Sequence, residues 1–284
     1  MEEKNKFSKA FKGIIIASLL IFVAFLAGCQ EKEEVPQELS GELTIASCKG
    51  LLPLIQEWAM LFMEKYPNVK INVSGIKCGQ VIKSVGEGEI DIGFIGRELK
   101  PDEKEKYPDI KRIVIGKKSI AIIVHPNNPV NELSLEQVAK IFAGEITNWK
   151  EVGGFDKDIH VIVREKGCER EILEKLVMKP YKKNITANAS VKSSYEEIKA
   201  TVSKDEGSIG YILLGYVDDT VKALKINGVE PTVQNVLSGD YPITKTFYLI
   251  TKGEPSELEK VFIDFVLSEE GQKAMEDMDY IRVK

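Results

Sequence analysis

Three segments of this 284-residue chain bring a cysteine, a small turn-forming residue and a cation within a few positions of one another. They are Ile45-Ala46-Ser47-Cys48-Lys49-Gly50, Val73-Ser74-Gly75-Ile76-Lys77-Cys78-Gly79 and Val163-Arg164-Glu165-Lys166-Gly167-Cys168-Glu169-Arg170. Each follows an apolar stretch with strand character and precedes a helical pattern, so each reads as a strand-to-helix loop. Free amide hydrogens and the positive end of a helix make such loops receptors for anions. Lys49, Lys77, Arg97, Arg164 and Arg170 supply cations to match. The same helix starts and basic neighbours lower the pKa of a thiol, which favours thiolates at Cys48, Cys78 and Cys168. Thiolates are soft donors that select arsenite, zinc, copper or an iron–sulfur centre, and three of them would repel an oxyanion. Three arrangements stay open: a three-sulfur metal or metalloid site, an oxyanion site with neutral thiols as filling, and a disulfide between two cysteines that leaves one odd thiol.

The elements that position these loops alternate strand and helix. Leu43–Ala46, Val69–Val73 and Ile90–Ile95 are strand candidates, separated by helical patterns over Leu52–Tyr66 and Val81–Val85. Such alternation implies an α/β fold with a mostly parallel sheet, which binds its ligand at the carboxyl ends of the strands. After Ile120–Val124, Pro126 and Pro129 interrupt the chain, and a second α/β set runs from Leu135 to Tyr211. A strand over Thr246–Thr251 and helices over Leu258–Leu267 and Gly271–Met278 return to the first set. The expected organisation is therefore lobe 1 over 41–124 plus 240–284 and lobe 2 over 125–239, joined by a hinge. Composition is ordinary for a globular protein, 43% hydrophobic and 29% charged, and a net charge of −5 with scattered basic residues excludes a nucleic-acid surface.

At the N-terminus, Lys4, Lys6, Lys9 and Lys12 precede the apolar run Gly13–Ala27 and the sequence Leu26-Ala27-Gly28-Cys29. The run is shorter than the roughly 18–20 apolar residues that a spanning helix needs, and small residues before Cys29 suit a peptidase. Residues 1–28 read as a signal peptide. Leu-Ala-Gly-Cys resembles a lipobox, which implies lipid on Cys29, with residues 29–40 as a flexible tether and the body anchored outside the cytoplasm; a retained anchor helix is the alternative. 

Further blocks carry a family resemblance. Ser47-Cys48-Lys49-Gly50-Leu51-Leu52-Pro53, Asp91 to Leu99, Ile141 to Trp149, Arg164 to Arg170, Gly207 to Tyr211 and Gly239-Asp240-Tyr241-Pro242-Ile243 follow one another in this order. Over nearly everything from Gly41 onward the chain resembles the phosphate-binding components of phosphate ABC importers. The resemblance implies a two-lobed periplasmic-binding-protein fold with a hinge, a small inorganic ligand and a membrane permease as partner, in a monomer without cofactor. It also implies ligand contacts at Ser47, Cys48, Lys49, Lys77, Cys78, Gly79, Gly96, Arg97, Arg164, Gly167, Cys168, Glu169 and Arg170. The chain departs from that family where hydroxyls would bind phosphate: Cys48, Cys78, Gly96 and Cys168 stand at serine positions, Lys49 at a threonine position, and the third loop is one residue shorter with Glu169. The three body cysteines thus fall together on the implied site, which is why a thiophilic ligand at Cys48, Cys78 and Cys168 is weighed beside an oxyanion.

Other chemistry-bearing residues read as structural. His125 and His160 lie at strand ends, Asp91 braces its loop, Asn148-Trp149 and the Gly-Tyr-Pro block suit packing and turns, and Glu169 and Glu171 suit a helix start. No cysteine is paired with a histidine in a nucleophile–base pattern, so the chain is not expected to be an enzyme. A tethered sensor or scaffold on the same fold is a further alternative to transport.

Overall fold

The structure, a computed structural model, describes residues 39–283. The signal peptide, Cys29 and nearly all of the tether expected from the sequence lie outside these residues. Strand β1 (Gly41–Cys48) is buried at every position from Ile45 to Cys48, as a strand covered on both faces must be. After a 3-10 turn, helix α1 (Leu52–Lys65) starts with Pro53 in its first turn and buries Leu54, Ile55, Trp58, Ala59 and Phe62 along one stripe. Strand β2 (Val69–Ile76), helix α2 (Cys78–Glu87) and strand β3 (Ile92–Ile95) follow. Helix α2 turns Val81, Ile82 and Val85 inward and ends at Gly88, whose φ of 78° is the left-handed C-cap that glycine adopts without strain. A short helix α3 (Pro101–Lys106) leads to β4 (Ile110–Val124).

The chain then makes β5 (Glu132–Leu133), α4 (Leu135–Ala143), β6 (His160–Arg164), α5 (Cys168–Leu173), β7 (Ser190–Lys192), α6 (Tyr195–Val202), β8 (Ser208–Leu213), β9 (Lys222–Ala223), β10 (Lys225–Ile226) and α7 (Val233–Ser238). It closes with β11 (Thr244–Lys252), α8 (Glu257–Val266), α9 (Glu269–Glu276) and β12 (Ile281–Arg282). The strand order is β2-β1-β3-β11-β4-β8-β6-β7. Pairing is parallel on both flanks and antiparallel in the middle, where β11 lies between β3 and β4, and β4 pairs β8. The sheet is mixed.

One strand serves both halves. β4 pairs β11 as far as Ser119, opposite Thr244, and pairs β8 from Ile120, opposite Leu213. Around its second half lies one core, containing Ile120–Val124, Val138, Phe142, Trp149 and Tyr211. Ala46, Val81, Ile82, Val85, Ile95, Tyr248 and Ile250 form a separate cluster on the β1 side. Large buried aromatic side chains have their polar atoms satisfied: Trp58 Nε1 donates to Gly271 O at 2.7 Å, Trp149 Nε1 to Gly207 O at 3.0 Å, and the Tyr241 hydroxyl to Ile120 O at 3.3 Å. The packing role read for Trp149 and Tyr241 holds.

Two elements differ from the sequence reading. The strand expected over Ile120–Val124 is only the buried end of β4, because Lys111 and Arg112 on its exposed first half conceal the pattern. The helix expected over Glu169–Met178 begins at Cys168 and widens to a π-helical turn over Glu174–Met178.

Candidate anion site

The carboxyl ends of β1, β2 and β6 deliver the three cysteine loops, and a continuous set of contacts links them. Cys48, the last residue of β1, and Cys78, the first of α2, form a disulfide with their Cα atoms 5.0 Å apart. Beyond Cys48, Gly50 O accepts a hydrogen bond from the Tyr280 hydroxyl at 3.4 Å. The Tyr280 ring lies 4.4 Å beneath Lys118 Nζ, and Lys118 Nζ stands 3.8 Å from the Glu169 carboxylate in the third loop. Burial and the nearby Cys168 and Glu169 push the Tyr280 hydroxyl well above its usual pKa, so it stays a neutral donor.

The disulfide corrects the three-sulfur reading. A sulfur bonded to sulfur offers no thiolate, so the metal or metalloid cage expected at Cys48, Cys78 and Cys168 becomes a disulfide and one free thiol, half-buried Cys168. This is the pairing left open from the sequence. Among the described residues no cluster of three His, Cys, Asp or Glu side chains is placed to hold a metal ion.

The cations divide. Arg97 makes a bidentate pair with Glu103, both bonds 2.7 Å, and also donates to Glu98 O at 2.8 Å. That pairing with Glu103 raises the Arg97 pKa and lowers that of Glu103. Arg170 is similarly engaged, with Nε 3.0 Å from Glu174 and Nη1 3.1 Å from Arg164 O. Arg164 is less committed: its guanidinium stacks 4.6 Å from the Tyr195 ring, and its buried Nε has no hydrogen-bond partner among the described residues. Lys49 and Lys77 are exposed.

The remaining residues singled out from the sequence take quieter places. Ser47 is fully buried and its hydroxyl donates to Cys48 O at 3.0 Å, which leaves it no hydrogen for a ligand. A Cβ on Gly96 would sit 2.9 Å from Lys245 Cε and 3.0 Å from Phe247, so close packing accounts for that glycine. Gly79 lies beside the Arg97–Glu103 pair, and exposed Gly167 precedes α5. Asp91 braces its loop through Thr44 N and Oγ1, both at 2.7 Å. His160 pairs with Asp205 at 2.6 Å, and His125 Nδ1 accepts from Asn127 N at 3.0 Å. The sequence reading missed Lys118. A lysine within an otherwise apolar strand, 7% exposed, is the signal that could have found it.

Residues 33–270 match the model of the PBP superfamily domain. The chain belongs to that superfamily. Within it, the phosphate-binding protein PstS of Bacillus subtilis is 34% identical over 253 residues, covering 87% of this chain and 82% of that protein. PstS of Borreliella burgdorferi is 27% identical over 286 residues, 96% of this chain and 99% of that one. This is a PstS homologue. Among solved structures, PstS from Borrelia burgdorferi superposes with a TM-score of 0.78 at 25% identity, over 86% of this chain and all of that one. A phosphate ABC transporter substrate-binding protein from Clostridium perfringens, solved with bound phosphate, is 38% identical, with a TM-score of 0.54 over 86% of this chain and 100% of that one. The mixed α/β architecture is thus that of the periplasmic phosphate-binding proteins. Among the described residues no helix is long and apolar enough to cross a membrane.

Proposed function

We propose that this chain is the extracytoplasmic receptor of an ABC importer and captures a phosphate-type oxyanion between two lobes. One observation supports the reading: the three strand-end loops are linked through the Cys48–Cys78 disulfide, which withdraws two of the three thiols, and through Tyr280, Lys118 and Glu169. The names of its relatives, phosphate-binding proteins over most of their length, support the same ligand class. The ligand enters when lobe 1 (41–124 with 240–284) and lobe 2 (125–239) part, and their reclosure around it follows from tighter binding in the closed form. The chain is a binding protein and not an enzyme; it acts as a monomer with a membrane permease and is held at the membrane by lipid on Cys29.

Calorimetric titration of the purified protein with phosphate, sulfate, arsenite and zinc tests this. Phosphate should bind one to one while arsenite and zinc give no heat and leave Cys168 reactive; arsenite or zinc binding that masks thiols, with phosphate silent, overturns it. Mass spectrometry of the membrane-bound form should show lipid on Cys29, lost with Cys29→Ala.

A further inference from the structure

Lys118 lies on β4, opposite Lys245 in the register with β11, whereas Glu169 opens helix α5, whose Ile172 and Leu173 belong to the core around Ile120–Val124. The pair therefore bridges the two halves of the molecule. Both side chains are nearly withdrawn from water, 9% and 13% exposed, yet they stand 3.8 Å apart, farther than a hydrogen bond. Among the described residues Lys118 Nζ has one hydrogen-bond acceptor, Met278 O at 3.4 Å, and an ammonium group carries three hydrogens, so donor capacity remains. Arg164, whose guanidinium lies 4.6 Å from the Tyr195 ring, holds a buried Nε without a partner among the described residues. Burial and the nearby Glu169 carboxylate raise the Tyr195 pKa, so that hydroxyl stays a donor.

Desolvation offsets the attraction within such a pair, so it is a poor source of stability and its presence points to another role. We propose that Glu169 is an internal anion: in the ligand-free protein its carboxylate supplies the negative charge for Lys118 and holds the halves together, and an entering tetrahedral oxyanion takes over Lys118 and the free Arg164 Nε by displacing it. This deepens the receptor reading and rests on it. Affinity is then a difference between two anions competing for one cation, so removing the internal one tightens binding. Glu169 is a specificity-setting competitor, and Lys118 is the cation competed for.

The test titrates inorganic phosphate into the wild-type protein, Glu169→Gln, Lys118→Met, Lys118→Arg and the Glu169→Gln/Lys118→Met double variant. Small-angle X-ray scattering of each ligand-free protein gives a second readout that needs no ligand. Glu169→Gln should bind phosphate about tenfold tighter, a typical coupling between two sites, and Lys118→Met about tenfold weaker. Lys118→Arg keeps the charge, guards against loss of folding and should stay within a few-fold of wild type. In the double variant the gain from Glu169→Gln should vanish. Without ligand, Glu169→Gln and Lys118→Met should both expand the particle. Weaker binding by Glu169→Gln overturns the proposal, because Glu169 would then be a ligand contact; so does an undiminished gain in the Lys118→Met background, or unchanged scattering in both single variants. Silence of the wild-type protein towards phosphate, with expansion of both variants, instead sinks the phosphate reading while leaving the internal anion in place.

Discussion

The loops after β1 and β2 and the loop after β6 share one plan, strand to turn to helix with a cysteine at the helix start, but they are held by different forces. Cys48 and Cys78 tie the first two together covalently, and the Ser47 hydroxyl is spent inside the same turn. The third has no covalent tie; Glu169 meets Lys118, Arg170 meets Glu174, and Cys168 stays free. Covalent closure fixes geometry whatever the charge state, whereas an ion pair can be exchanged for another ion. Rigidity therefore belongs to the first two loops, and the exchangeable ion pairs belong to the third.

The sharpest way to break this comparison is to remove each cysteine in turn. Replacing Cys48 and Cys78 by Ala reopens a loop with a sequence separation of 30 residues and should cost about 3–4 kcal/mol in denaturant unfolding, an effect that reductant reproduces in the wild type. Cys168→Ser should stay within about 0.5 kcal/mol and leave phosphate affinity unchanged or improved; equal losses at Cys168 and Cys48 would erase the distinction. Next in size is Glu103→Gln, which removes half of a bidentate pair whose side chains are 30% and 14% exposed. The loss should be about 1–2 kcal/mol at neutral pH, discounted for that exposure. Its pH dependence follows from the Glu103 carboxyl, held below its usual range by the Arg97 hydrogen bond. A folded-state pKa below the unfolded one gives stability that is full above the unfolded value and lost as pH falls through the folded one. The gap between wild type and Glu103→Gln should therefore close in acid, below about pH 4, in unfolding curves taken across that range. Smaller than the loss at Glu103 is that of Ser47→Ala, which removes a buried intraturn hydrogen bond and should cost about 1 kcal/mol. Phosphate affinity measured by calorimetry should not change; a large drop would return Ser47 to the ligand.

Much of this arrangement was legible in the residues. The turn chemistry and apolar periodicity around Leu52–Phe62, Val81–Val85 and Leu135–Phe142 marked helices that the structure contains, because burial there follows simple spacing. The three strand-end loops were legible for the same reason. Partner choice was not. Whether Cys78 meets Cys48 or Cys168 depends on β1 and β2 being neighbours, a tertiary fact with no local signature. Arg97 read as an anion ligand since nothing in its own segment announces that Glu103, six positions on, returns to it across the start of α3. Lys118 escaped notice in a strand whose exposed start carries Lys111 and Arg112 and which places half-buried Lys117 beside it, so one more lysine looked like surface.

The placement of β11 has a consequence for the order of assembly. Its residues 244–252 sit between β3 and β4, opposite partners as distant in sequence as Ile92 and Ser119. The half of the sheet built on β1, β2 and β3 thus cannot join β4 until the end of the chain is available, and closing such long loops is slow compared with local pairing. A nascent chain lacking those residues would keep that half open, and a polypeptide still waiting for its last long strand is one that can be threaded through a narrow export channel before it commits to its fold.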